Sequence, residues 1–320
     1  MVIVFTPERF PAMSHGIHTI DTGFQRPNFD AAYLIVENGR GAFVDCGTTL
    51  SVPNLLDAIA NANLTPESID WLILTHVHLD HAGGAGALMR YLPNARAVVH
   101  PRGAPHMIDP ARLIAGATAV YGEAEMAKSY GSIAPIPADQ VDIAHDGHVV
   151  QLAGRKLLCL DTPGHATHHI CIFDEASGSL FTGDTFGISY RDFDGAGGIH
   201  IFPTTTPVQF DPEALKASIA RLVALRPQAA YLTHYGRIEN PAAHAPELIR
   251  QIDAMVAIAT EHANAPDRHA RIAEALSDLY APRAAAISGL PEATARELLA
   301  MDVELNAQGL CVWLDKIARH

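Results

Sequence analysis

Residues 74–84 read LTHVHLDHAGG, and six consecutive positions of that stretch hold His76, His78, Asp80 and His81. Imidazoles and a carboxylate crowded this closely raise one another's cost unless something positive sits among them, and a divalent metal meets that need. Three further donors follow, each at the end of a predicted strand: His165 in DTPGHATHH, Asp184 in LFTGDTFG and His234 in YLTHYG. Imidazole nitrogen and carboxylate oxygen suit Zn2+ with a coordination position left open for water, and iron and manganese accept the same donors. Seven donors suffice for two ions that share one carboxylate. The natural division sets His76, His78 and His165 on one ion, Asp80, His81 and His234 on the other, and Asp184 between them. In an extended H-x-H both rings point to one side. A helix starting near Gly83 then turns Asp80 and His81 the other way, so one short loop can feed both ions. G-x-S-x-G is absent, which leaves serine hydrolase chemistry without support.

These donors need a scaffold, and the pattern around them alternates strands and helices. GIHTIDTG (16–23), AAYLIVENG (31–39) and GAFVDCG (41–47) read as strands, and 51–64 shows helical spacing of Leu55, Leu56, Ile59 and Ala60. A short buried strand, Trp71 to Leu74, delivers the His-rich loop at its C-terminal end, where α/β folds place their chemistry. A helix (85–92), a strand (95–100) and a mostly helical stretch (102–130) follow. Strands return over 148–154, 155–164, 168–175 and 178–185, then a Gly-rich loop (194–198), a helix opened by Asp211-Pro212 (211–226) and a strand at 228–236. After Pro241 no strand is expected. Helices are read at 243–263, 265–281, 289–303 and 304–318, punctuated by Pro266, Pro282 and Pro291. The organisation expected is two similar strand-rich halves within 1–240 and a helical extension over 241–320.

Composition bounds the function. The chain has 320 residues, 48% hydrophobic and 18% charged, with a net charge of −13. An acidic surface repels phosphate backbones, so nucleic acid is not an expected partner. No apolar run approaches the ~20 residues of a membrane span, and the N-terminus lacks a basic start followed by a long apolar core. Cys46, Cys159, Cys171 and Cys311 are not in C-x-x-C spacing and read as buried thiols. A cytoplasmic protein with a small-molecule substrate is expected.

The ordered set HVHLDH, PGH, TGD and a late LTHYG resembles the metallo-β-lactamase-fold hydrolase superfamily over about residues 16–240. The resemblance implies an αββα sandwich, two sheets face to face with helices outside. Asp45 in AFVDCG matches the family's first motif, an acidic residue that orients a ligand or its loop by hydrogen bonding. Two ions ~3.5–4 Å apart would hold a hydroxide between them for attack on a carbonyl or phosphoryl centre. Asp184 would join the ions and Asp80 would also shuttle a proton, making these the catalytic carboxylates.

Asp184 stands where zinc β-lactamases of the main class carry Cys, and His78 where flavodiiron proteins carry Glu, so neither branch is indicated. The RNA-processing branch expects a basic arm that this acidic chain lacks. Glyoxalase II-like thioesterases, lactonases and persulfide dioxygenases remain. The leading expectation is a dinuclear hydrolase of a small ester, thioester or lactone, with two divalent ions, zinc foremost. A mononuclear iron dioxygenase built on His76, His165 and Asp184, acting on a thiol or persulfide, is the alternative. A non-catalytic metal-binding sensor module is a third. Position 187, where homoserine-lactone lactonases carry Tyr, is Gly, with Tyr190 as a substitute. Phe186, Tyr190, Phe193 and Phe202 could rim a substrate pocket, Arg191 could clamp a carboxylate, and His200 could line the same pocket. His169 is read as a support beneath the site. The C-terminal helices either cap the cleft or offer a homodimer face.

Overall fold

The computed structural model describes residues 15–205 and 208–319. The N-terminal stretch read above as lacking a leader, and Thr206 and Pro207 of the loop after Asp184, lie outside the described residues. Among the described residues, twelve strands form two six-stranded sheets. The first holds β1 (Ile17–Asp21), β2 (Ala31–Glu37), β3 (Arg40–Val44), β4 (Ile69–Ile73), β5 (Arg96–Val99) and β6 (Val141–Ile143), in chain order. The second holds β7 (Val149–Leu152), β8 (Arg155–Asp161), β9 (Ile170–Asp174), β10 (Ser179–Gly183), β11 (Ala229–Leu232) and β12 (Gly236–Glu239). β3 to β6 run parallel, as do β10 and β11; the remaining neighbours are antiparallel.

Strand alternation builds the layers. Tyr33, Ile35, Ala42 and Val44 face inward and meet Leu157, Cys159, Ile172 and Phe181 of the other sheet. Their neighbours Ala32, Leu34 and Phe43 face outward. There they meet α1 (Val52–Asn61), through Leu55 and Ile59, while Leu88 and Met89 of the same cluster come from a short helix that follows α2 (Leu79–Ala82). A strand buried on both faces reads as a continuous apolar run, as AAYLIV does. The second sheet is covered by α7 (Pro212–Ala224), preceded in chain order by α3 (Ala85–Met89), α4 (Ala104–Ile108), α5 (Ala111–Tyr121) and the single turn α6 (Glu123–Glu125). Asp211 caps α7, its carboxylate accepting from the Ala214 amide at 3.1 Å. The result is the helix–sheet–sheet–helix sandwich expected.

Past Glu239 the chain is helical: α8 (Pro241–His262), α9 (Arg268–Ser288) and α10 (Glu292–Ile317). The two helices expected at 289–303 and 304–318 are therefore one. Leu299, Val303, Ala307, Leu310 and Leu314 recur at three- and four-residue intervals and form one buried stripe with no break at 303. Pro282, expected as punctuation, lies inside α9, and the burial of Tyr280, Ala281 and Ala284 carries that helix past the missing hydrogen bond. The short β6 and β12 were not anticipated.

Leu180, Ala230 and Leu232 of the second sheet belong to one apolar cluster with Leu248, Leu276 and Leu310 of the three C-terminal helices. The extension thus packs onto the sandwich through a common core, and its buried faces meet this chain's own strands. No helix among the described residues is long and apolar enough to cross a membrane. A chain ending at residue 240 should lose the cooperative melting transition of the full protein in calorimetry. A sharp transition in the shortened chain would show that the strands close a core without the helices.

Candidate metal centre

Each donor leaves the end of a strand. Thr75 and His76 follow β4, and His78, in extended conformation (φ −65°, ψ 151°), opens α2 so that Asp80 and His81 fall in its first turn. His165 sits in the loop from β8 to β9, Asp184 directly after β10, and His234 two residues after β11. Glycines before two of the donors are required by space. Gly183 has φ +47°, and a Cβ there would stand 2.5 Å from His169 Nε2 and 2.8 Å from Thr75 Oγ1. Gly164 has φ +132°, and its Cβ would press to 2.3 Å on the backbone of Leu215 in α7.

The folded chain brings all seven donors together. His76 Nε2 lies 2.7 Å from His78 Nδ1, which lies 3.2 Å from His165 Nε2. Across the basin, His234 Nε2 is 3.4 Å and His81 Nε2 3.8 Å from Asp80 Oδ2. Asp184 stands between the groups with its oxygens divided. Oδ2 is 3.3 Å from His165 Nε2 and 4.0 Å from His76 Nε2, whereas Oδ1 is 3.4 Å from His81 Nε2 and 3.9 Å from His234 Nε2. The sets His76–His78–His165, His76–His81–Asp184 and Asp80–His81–His234 each have the spacing to hold an ion.

Hydrogen bonds outside the basin orient the rings. His81 Nδ1 bonds Asp45 Oδ2 at 3.0 Å, and His234 Nδ1 bonds the Phe29 carbonyl at 2.9 Å. Asp45 also accepts from the Thr75 amide (2.8 Å), the Thr75 hydroxyl (2.8 Å) and the Thr233 hydroxyl (3.1 Å). His169 accepts from the Asp184 amide at 3.2 Å through Nε2 and meets the Thr162 hydroxyl at 2.9 Å through Nδ1, beneath the site as its position suggested. Thr75 and Thr233 escaped the sequence reading, although Leu-Thr-His occurs twice, at 74–76 and 232–234, after one strand of each sheet.

The electrostatics are unbalanced without a cation. Burial and the neighbouring imidazoles push His76 and His78 well below the ordinary histidine range. Burial would lower His81 and His234 too, but the Asp184 and Asp80 carboxylates outweigh it, holding His81 well above its usual value and His234 at about 9. Burial would raise Asp184, yet the surrounding imidazoles hold it well below the usual carboxylate range. Protons on the second group of donors therefore take the place of positive charge. Buried His81 Nε2 and Asp184 Oδ1 make no hydrogen bond among the described residues, although they face each other at 3.4 Å. Two orphaned donor atoms aimed at one point fit a cation there better than a closed hydrogen-bond network.

The residues assigned to a pocket rim lie elsewhere. Phe186, Tyr190, Phe193, His200 and Phe202 are all 0% exposed, in or against the core under α9 and α10, with Phe202 against Tyr280 at 5.3 Å. This corrects the open rim: the helical extension covers these rings. Arg191 bonds the Ser189 carbonyl at 2.7 Å and pairs with Asp194 at 3.2 Å, which occupies its guanidinium. Arg26, unmarked in the sequence, lies 4.8 Å over the Tyr190 ring and pairs with Asp192 at 2.6 Å.

A family model described as the metallo-beta-lactamase superfamily matches residues 26–234, and the chain belongs to that superfamily. The chain is 26% identical over 228 residues to the metallo-beta-lactamase fold-containing protein ST1585 of Sulfurisphaera tokodaii, covering 70% of this chain and 79% of that one. The crystal structure of ST1585, from Sulfolobus tokodaii, superposes with a TM-score of 0.65 at 22% identity over 93% of this chain and 99% of that one, a likeness of fold. A hydroxyacylglutathione hydrolase of Salmonella gallinarum is 28% identical over 224 residues, 66% of this chain and 73% of its own length. An atrochrysone carboxyl ACP thioesterase of Aspergillus fumigatus is 30% identical over 172 residues, 54% of this chain and 40% of its own.

Two outcomes test the site. Asp45→Asn, which removes the carboxylate from His81 and both threonines, should weaken zinc binding by about 10–100-fold in chelator competition. Zinc binding by the stripped protein should release protons, because His234 carries one below about pH 9 and the Asp184 and Asp80 carboxylates hold the pKa of His81 well above its usual value. Affinity should therefore rise toward pH 9, by about tenfold per pH unit for each proton displaced. A pH-independent affinity between pH 7 and 9 would contradict the charge assignment.

Proposed function

We propose that this protein is a metal-dependent hydrolase of a small ester, thioester or lactone that works with two divalent ions, zinc foremost. The observation that carries the reading is the division of Asp184, one oxygen facing His76 and His165 and the other facing His81 and His234. His76, His78 and His165 would hold one ion, Asp80, His81 and His234 the other, and Asp184 both. Ions held there would supply Lewis acidity and bring the pKa of water toward neutrality.

The remaining work falls to the chain. The side chains of Asp184, His76, His81, His165 and His234 are at most 7% exposed, whereas His78 is half-buried and the Asp80 side chain is 24% exposed. Asp80 is thus the carboxylate best placed to pass a proton between a reacting group and solvent. Phe29, buried and edge-on to the His234 ring at 5.5 Å, gives the basin an apolar neighbour that strengthens its electrostatics. Two relatives, named as a hydroxyacylglutathione hydrolase and an ACP thioesterase, support thioesters as the first substrates to try. A net charge of −13 disfavours a phosphate backbone as partner. Four free cysteines suit a reducing compartment such as the cytoplasm.

Elemental analysis of the purified protein should count two zinc atoms per chain, with turnover in a panel of thioesters, esters and lactones. Asp184→Asn and His76→Ala should each lower kcat by more than about 100-fold while leaving far-UV circular dichroism unchanged. Full turnover in either variant would sink the proposal. One iron per chain with oxygen uptake on a thiol or persulfide would replace it with the dioxygenase.

A further inference from the structure

Asp302 and Asn306 are polar residues, 6% and 0% exposed, on the apolar face of α10. They lie four residues apart, so they point from one face a single turn apart. An amide and a carboxylate in such a stripe are costly unless they are hydrogen-bonded. Their partners lead to the metal centre by two separate routes.

Asn306 brackets the carbonyl that faces His165. Its Oδ1 accepts from the Thr205 amide at 2.7 Å, and its Nδ2 donates to the Pro203 carbonyl at 3.2 Å. Between these residues lies Thr204, whose carbonyl is 3.4 Å from His165 Nδ1. Asp302 acts on the other side. Its Oδ1 accepts from the Tyr190 hydroxyl at 3.0 Å. The Tyr190 ring stacks on Phe29 at 4.9 Å, and the Phe29 carbonyl accepts from His234 Nδ1 at 2.9 Å. Ser189, next to Tyr190, meets the same histidine through the main chain: its carbonyl accepts from the Tyr235 amide at 3.3 Å, and its amide donates to the His234 carbonyl. A carbonyl can only accept, so Nδ1 of each histidine is the donor to it and Nε2 is the nitrogen left to face the basin, where on His234 an ion would take the place of the second proton.

We infer that Asp302 and Asn306 are positioning residues through which α10 sets two ligand rings, His234 by way of Tyr190 and Phe29 and His165 by way of residues 203–205. The inference rests on the basin being a metal centre. It assigns Asn306 to the ion of His76, His78 and His165, and Asp302 to the ion of Asp80, His81 and His234.

The test is zinc affinity of the full-length protein, stripped and reloaded in competition with a chromophoric chelator. The zinc-free proteins are melted in parallel. Asn306→Ala should weaken one zinc equivalent by about 10–100-fold and leave the other as in the unmodified protein. Tyr190→Phe, which keeps the ring and removes only the hydroxyl, should weaken the other equivalent, as should Asp302→Ala. The double change Asn306→Ala with Tyr190→Phe should weaken both. Asp302→Asn keeps an oxygen for the Tyr190 hydroxyl and should stay within about threefold of the unmodified protein. Should Asn306→Ala not fold, Asn306→Asp keeps the acceptor for Thr205 and loses the donor to Pro203, and an intermediate loss is expected. Two undisturbed zinc equivalents in both Tyr190→Phe and an Asn306 variant that melts cooperatively would overturn the inference while leaving the centre intact. An unmodified protein that takes up no zinc would instead overturn the centre itself.

Discussion

Asp45 takes hydrogen bonds from three segments of chain, and the geometry of the basin depends on it. Its oxygens meet the amide and hydroxyl of Thr75, the imidazole of His81 and the hydroxyl of Thr233. Thr75 precedes His76 at the end of β4 in one sheet, and Thr233 precedes His234 at the end of β11 in the other. One buried carboxylate therefore registers the two sheets against each other at the place where their ligands emerge. Such a group is costly in an apolar interior unless it is fully partnered, and here every recorded partner of the carboxylate is one of the seven convergent donors or the residue before one.

Beyond that point the site is held from two distances. Near the basin, glycines admit close approach: Gly183 lets His169 and Thr75 stand beneath Asp184, and Gly164 lets the His165 loop lie on α7. Farther away, α10 reaches the backing of His165 and His234 with two polar side chains. Rigid strands aim the donors, and the helical layer fixes the segments behind them. A centre in which imidazoles and carboxylates are buried together needs both, because a ring free to turn would find other hydrogen-bond partners.

The seven donors that the fold brings together were legible because their chemistry is local. HVHLDH, PGH, TGD and LTH place donors at strand ends, and the strands themselves announce their C-terminal edges through apolar runs. The two strand-rich halves followed from the same runs, and the four-layer sandwich from the resemblance to the superfamily that the motifs carry. The aromatics after Asp184 were not legible in this way. Phe186, Tyr190, Phe193 and Phe202 on a glycine-bearing loop look alike whether they rim a cleft or fill a core, and the difference is made by α9 and α10 packing over them. Asp302 and Asn306 left a weak trace, two polar residues in an apolar stripe, but their meaning required Tyr190 and Thr205, more than 100 residues away in the chain. The division of the last helix into two failed because no Gly or Pro separates Val303 from Glu304 and the buried stripe runs through.

The contacts that close the basin are among the most distant in the sequence. Phe29 and His234 are 205 residues apart, Asp45 and Thr233 188, and Thr205 and Asn306 101. Local helices and hairpins can form early, but bringing such ends together must overcome the entropy of long loops before any contact rewards it. During synthesis the His-rich loop is complete long before its partners leave the ribosome. Until residue 234 and then α10 arrive, it lacks the distant partners that complete the basin. The order in which this chain is made thus completes the His-rich loop early and the segments that shape the basin around it last.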